Sequence, residues 1–407
     1  MKKIKVLICD DSRIMRKLIS NVIEADERIE VVGQAEHGVD CLEKIVQFQP
    51  DVVTLDLNMP VMDGLTVLRE SKARGLGATF LVVSSLAKKD AQITIDALTE
   101  GAIDFILKPS QAFNIASMGK EVIEKILIAS MNARKVSEGG GTPGGSSPAE
   151  AAPPPPPPAV AVQPGAEAPP AAPGSAPTGA PAAASANLEA AALRMMQQRQ
   201  QTAAANTASA SLQQEQKWSK AEVTIIGGSS GSIQTLVKVI PFLPGSFSRT
   251  VIIVLHLPPF FTTQFTQQLS HKCPVPVCEA ADGMKVESKR VYLAPGGERN
   301  MILQRLDTGD VVFRLIDNDA NMLYTPSIDI VMSSTAEAYK KDCRGILISG
   351  TGTDGVEGLR SIRNGGGGTF VQDKATAIAN QLPFAALKAG VVDKALSIQD
   401  MLDLLAV

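Results

Sequence analysis

The sequence predicts two doubly wound α/β domains, each a parallel sheet covered by helices on both faces. Three observations carry the prediction. Short apolar runs alternate with helical periodicity over the first third of the chain. The alternation stops at a segment of almost pure Ala, Pro, Gly and Ser. It then resumes and continues to Val407. The division is residues 1–130 for the first domain, 131–220 for a linker and 221–407 for the second domain.

KVLICD (Lys5 to Asp10) reads as a buried strand, and Ile14, Leu18, Ile19 and Val22 line one face of the helix after it. VVGQA, a helix over Gly38 to Phe48, and the strand DVVTLD (Asp51 to Asp56) follow. A helix near Leu65 to Ala73 leads to TFLVVSS, and a helix through Leu98 leads to AIDFILKP and a last helix. Thr142 to Asn187 holds more than half of the 26 prolines, six of them consecutive at Pro153 to Pro158. Such a segment buries too little apolar surface to offset the entropy of ordering, so a disordered, partly polyproline linker is expected. Leu188 to Gln201 has the composition of a short helix.

VTIIGG opens the second alternation, with a helix from Ser232, the strand TVIIVLH (Thr250 to His256), a helix near Thr262 to Ser270 and the strand RVYLAP. NMILQRLDTGDVVFRLI reads as a hairpin turning at Thr308 and Gly309. Another helix leads to GILISG, then a helix to Asn364 and the strand GTFVQD.

The net charge of −3 carries no signal for nucleic acid or an anionic membrane. Cys9, Cys41, Cys273, Cys278 and Cys343 are scattered without zinc spacing, as expected of reduced thiols. No apolar run approaches the roughly 20 residues that span a bilayer. A cytoplasmic protein without direct membrane insertion is expected.

Ligands of open parallel sheets sit at the carboxyl ends of the strands. Asp10 and Asp11 end the first strand, Asp56 the third, Ser84 and Ser85 the fourth, and Lys108 the fifth. Three carboxylates at one edge call for a cation, and oxygen ligands suit Mg²⁺. A carboxylate beside it can attack a phosphoryl group, with the Ser84 hydroxyl and the Lys108 ammonium holding the new oxygens. Asp11 alone could equally be a helix cap.

In the second domain two chemistries compete. GTGTDG sets Gly350, Gly352 and Gly355 at dinucleotide-loop spacing between a strand and a helix, with Asp373 about 20 residues on where a ribose-binding acid belongs. GGSSG, Gly227 to Gly231, sets Ser229 at the centre of G-x-S-x-G between a strand and a helix, where a nucleophile meets free N–H groups. A nucleophilic serine needs a base, and of three histidines only His256 ends a strand of this domain. Asp354, in SGTGTDG, follows a later strand and completes a possible Ser–His–Asp set at one sheet edge. The alternative is a phosphorylation-controlled nucleotide-binding or docking module without catalysis.

CDD, DLNMPVMDG, VVSS and DFILKP together resemble the receiver domain of two-component response regulators over about Lys3 to Ser130. The resemblance implies a flavodoxin-like fold, phosphorylation of Asp56 by a histidine kinase, and Mg²⁺ at Asp10, Asp11, Asp56 and the Asn58 carbonyl. It further implies phosphoryl sensing by Ser84, Lys108 and the aromatic switch position Phe105. IGGSSGS, VLHLPPFFTTQF, VYLAPGG, YTPSIDI and ISGTGTDGVEGL resemble, in order, the catalytic domain of the chemotaxis protein-glutamate methylesterases. That resemblance implies a Rossmann-like domain without an esterase cofactor. Its activity would be hydrolysis of glutamate methyl esters, often with glutamine deamidation, on chemoreceptor cytoplasmic helices. Ser229 would be nucleophile, His256 general base and Asp354 the orienting acid. Thr351 and Thr353 stand where the family usually has Met and Asn. In that family the unphosphorylated receiver covers the catalytic face; a tether as long as this one lowers its effective concentration there.

Overall fold

The protein is described from a computed structural model that covers residues 3–108, 115–138, 218, 220–318 and 323–406. The expected proline-rich linker and the helix expected over Leu188 to Gln201 lie outside the described residues.

The first sheet holds β1 (Ile4–Cys9), β2 (Ile29–Ala35), β3 (Val52–Asp56), β4 (Thr79–Ser84) and β5 (Asp104–Leu107), all parallel, in the order β2-β1-β3-β4-β5. Its helices are α1 (Arg13–Ile23), α2 (Gly38–Phe48), α3 (Gly64–Ala73), α4 (Lys88–Glu100) and α5 (Ile115–Glu138). β1, β3 and β4 are buried nearly throughout, which explains why they read as continuous apolar runs. Local capping sets where helices begin: Ser12 accepts from Met15 N, His37 Nδ1 from Asp40 N, and Asp63 from Thr66 N. The order reverses between β1 and β3, and the acidic cluster sits at that switch point.

The second sheet has seven parallel strands in the order β14-β13-β12-β6-β7-β9-β8. They are β6 (Val223–Gly228), β7 (Thr250–Leu255), β8 (Val277–Glu279), β9 (Arg290–Leu293), β12 (Cys343–Leu347), β13 (Gly368–Gln372) and β14 (Lys394–Leu396). β10 (Arg299–Arg305) and β11 (Val311–Asp317) form the expected antiparallel hairpin, with Gly309 at φ +90° in its turn. The helices are α6 (Ser232–Val239), α7 (Phe261–Lys272), α8 (Ile328–Tyr339), α9 (Val356–Asn364), α10 (Gln381–Lys388) and α11 (Ile398–Ala406). Sequence reading missed β8 and β14, which at three residues each are too short to show a period.

Two segments reach past the boundaries expected from composition. α5 continues to Glu138, and Asn132 on it donates to the Ile378 carbonyl. Trp218 packs edge-on against Phe370 at 5.0 Å and accepts from the buried Arg344 through its carbonyl. All five cysteines are free, with Cys9, Cys41 and Cys343 buried.

The receiver-like part and the second domain touch through α4. Gln234 on α6 donates to the Leu98 and Ala102 carbonyls at 3.2 and 2.6 Å. Gln268 on α7 accepts from Thr99 Oγ1 at 2.7 Å and donates to Asp96 Oδ1 at 3.0 Å. Phe105 stacks on Phe261, centroids 5.0 Å apart.

Candidate active site

Adjacency in the second sheet assembles the site. β6 lies between β12 and β7, so the turn after β6, the turn after β7 and the loop after β12 are neighbours. They carry Ser229, His256 and Asp354 respectively.

Close packing explains the glycines of the first turn. At Gly231, which precedes α6 at φ +75°, a Cβ would lie 2.6 Å from Ile378 Cγ2. Ser229 N donates to the Ser349 carbonyl at 3.1 Å, and Ser229 Oγ accepts from Thr351 N at 2.9 Å. The N–H groups of Ser230 and Gly231 donate to none of the described residues.

His256 Nε2 lies 2.7 Å from Asp354 Oδ2, and the His256 ring stacks on Tyr324 at 4.4 Å, 10° from parallel. Among the described residues no hydrogen bond joins Ser229 to His256; such contacts often close only when substrate is bound. With Nε2 facing the carboxylate, Nδ1 is the ring nitrogen left for the serine. Both residues line one cavity of about 270 Å³, together with Tyr324, Thr351, Leu98 and Phe105. The last two come from the first domain, so the cleft is roofed by the receiver-like part.

Asp354 is buried, at 5% exposure. Burial pushes its pKa up, but the bonds from His256, Asp329 N and Ile328 N prevail and hold it below the usual carboxylate range. It therefore stays ionised and can steady an imidazolium.

The dinucleotide reading of GTGTDG loses its residues to other tasks. Thr351 N is directed at Ser229, and a Cβ on Gly350 would lie 2.7 Å from Ser229 Oγ. Asp373 accepts from Thr376 N and Oγ1 within its own turn. Tyr324 was missed because nothing in YTPSIDI marks an aromatic that stacks on a histidine distant in sequence.

In the first sheet, Asp10, Asp11 and Asp56 bring carboxylate oxygens within 4.8 Å of one another. Lys108 Nζ lies 2.6 Å from Asp56 Oδ2 and 3.4 Å from Asp10 Oδ2. Burial, then repulsion from Asp56, raises the Asp10 pKa against the pull of Lys108. Desolvation works against the Lys108 charge, but its pairing with Asp56 and Asp10 prevails and raises its pKa. Among the described residues the buried Asp10 Oδ2 makes no hydrogen bond and has only the 3.4 Å ion pair with Lys108, so the donor set fits a hard cation.

Ser84 Oγ is turned to Thr94 Oγ1 at 2.6 Å, and Phe105 is buried against Phe261 with Lys125 Nζ 5.0 Å from its ring centre. Asn58 N donates to Asp56 Oδ1 at 3.3 Å, while its side chain donates to Asp90. The buried Asp90, which also accepts from Ser85, had no signal in the sequence.

A family model described as CheB methylesterase matches residues 224–405, and one described as response regulator receiver domain matches residues 6–118. The protein-glutamate methylesterase/protein-glutamine glutaminase of Caldanaerobacter subterraneus subsp. tengcongensis is 31% identical over 408 residues, covering 98% of this chain and 96% of its own. That of Moorella thermoacetica is 33% identical over 410 residues, again 98% and 96%. The crystal structure of the Thermotoga maritima CheB methylesterase catalytic domain matches 46% of this chain and 97% of its own at 30% identity, with a TM-score of 0.44.

Proposed function

The chain belongs to the protein-glutamate methylesterase/protein-glutamine glutaminase family, and from that premise we propose that Ser229, His256 and Asp354 carry the hydrolysis. The enzyme is a receiver-regulated hydrolase of glutamate methyl esters, with glutamine deamidation as the companion activity. The observation that carries the triad is the 2.7 Å His256–Asp354 pair behind the cleft that His256 and Ser229 both line.

His256 Nδ1 takes the Ser229 proton as Oγ attacks the ester carbonyl. The free N–H of Ser230, with that of Gly231, supports the developing oxyanion. Collapse expels methanol, which receives the proton from His256. Water, deprotonated by the same nitrogen, then releases the glutamate carboxylate and restores Ser229. On a glutamine the same steps expel ammonia.

Asp56 is the phosphoacceptor in this reading, and Asp10, Asp11, Asp56 and the Asn58 carbonyl would hold Mg²⁺. The cation would supply charge neutralisation for the incoming phosphoryl group. Lys108 then binds a phosphoryl oxygen, and Ser84 must leave Thr94 to bind another. That shift frees Phe105 to leave Phe261 and loosens the roof over the cleft. The partners are the methylated cytoplasmic helices of a chemoreceptor and a histidine kinase, which places the reaction in the cytoplasm. Among the described residues no helix is long and apolar enough to cross a membrane.

The test is methanol release from membranes carrying a methylated chemoreceptor. Ser229→Ala is expected to lower it by about 10⁴-fold or more. Release by that variant at the wild-type rate would exclude the assignment.

A further inference from the structure

The triad acid is held by an exchange of helix caps that the reaction scheme above does not use. Asp354 precedes α9 but spends its carboxylate on α8: Oδ1 accepts from Ser327 Oγ at 2.8 Å and Asp329 N at 3.0 Å, and Oδ2 accepts from Ile328 N at 2.7 Å beside His256. Asp329, in the first turn of α8, returns the favour to α9. Its Oδ1 accepts from Gly355 N at 2.8 Å and Gly358 N at 2.7 Å.

Each helix thus begins on the other's carboxylate, and α9 has no side-chain cap of its own. Two anions so close repel, and the exchange is sustained because each faces the positive end of a helix. Burial, with Asp354 beside it, pushes the Asp329 pKa up to about 6, against the pull of Gly358 and Gly355 N–H. The glycines of DGVEG follow from the same geometry. Gly355 sits at φ +111°, and a Cβ on Gly358 would lie 2.6 Å from Met332 Cβ and 3.1 Å from Asp329 Cα. A side chain there would part the helices and break the clamp.

We propose that Asp329 is a positioning residue for the esterase, clamping the loop that presents Asp354 to His256. This rests on the triad reading of the site. Without the clamp, Gly355 and Gly358 N–H lose their acceptor and the Asp354 loop is free to drift from His256, which penalises the chemical step rather than receptor binding.

The experiment measures kcat and KM for methanol release from methylated-receptor membranes with full-length Asp329→Ala, Asp329→Asn and Ser229→Ala. Asp329→Ala is expected to lower kcat about 10- to 100-fold with KM within about twofold of wild type. Asp329→Asn keeps an oxygen acceptor for both N–H groups and is expected to recover kcat to within about fivefold. Asp329→Ala with wild-type kcat, or folded Asp329→Asn impaired more than 100-fold, overturns the clamp. The second criterion stands even if the alanine variant fails to fold. An active Ser229→Ala would instead sink the triad, so the two failures are distinguishable.

Discussion

Gln268→Ala tests whether the receiver roof restrains the esterase. The substitution removes one hydrogen bond from Thr99 and one to the Asp96 carboxylate, both across the boundary between the two domains. A neutral bond contributes about 0.5–1.5 kcal/mol net and one to a charged group about 1.5–3 kcal/mol. Gln268 is only partly buried, so solvent takes over part of each bond, and about 2 kcal/mol is a reasonable net loss. At about 1.4 kcal/mol per decade, that shifts the ratio of covered to uncovered cleft by roughly 30-fold. Basal methanol release should rise toward the phosphorylated level, and stimulation by a small phosphodonor should shrink by the same factor. Thermal unfolding of the second domain should not move, because the side chain lies outside its core. Unchanged basal activity together with undiminished stimulation would refute the idea that this contact restrains catalysis.

Three further outcomes follow from the same geometry. Asp56→Asn should remove phosphodonor stimulation while leaving basal esterase activity within about twofold, because Asp56 lies in the first sheet, away from Ser229; radiolabel from the phosphodonor should not be retained. Gly231→Ala should destabilise the second domain by at least about 1 kcal/mol and depress activity, because φ +75° and the nearby Ile378 both oppose a side chain; denaturant melts at fixed pH read this directly. The Asp329–Asp354 pair should give stability a pH signature. Asp329 has a raised folded pKa of about 6, so the folded state binds the extra proton and the stability from this group falls as pH rises between about 4 and 6. Asp354 has a lowered one, so its contribution is present above about pH 4 and lost as pH falls further. Melts of wild type and Asp329→Asn should therefore separate as pH rises from about 4 to 6, with wild type falling relative to the variant; parallel curves over that window would contradict the assigned shift.

Much of this was legible without coordinates. The central strands β1, β3, β4, β6 and β7 are buried on both faces, so they appear as apolar runs whose ends can be located to a residue or two. Because ligands gather at the carboxyl ends of such strands, the candidates Asp10, Asp56, Ser229 and His256 could be found by position alone. Residue chemistry narrowed them further, since a serine nucleophile requires a base and three carboxylates require a cation.

Tertiary structure decided what those positions do for one another. The order β12-β6-β7 is a property of the whole sheet, and it alone places Asp354 beside His256 rather than beside Asp373. The roof over the cleft depends on α4 meeting α6 and α7 through Gln234 and Gln268, glutamines with no local pattern to distinguish them. The exchange of caps between Asp329 and Asp354 was invisible for the same reason. Asp329 reads as an ordinary first-turn acid of α8 and Asp354 as a turn residue ahead of α9, whereas each one's hydrogen bonds go to a helix about 25 residues away. Sequence periodicity reports which face of an element is buried, because burial is repeated along it; it carries no record of which single polar atom meets which, because that contact occurs once.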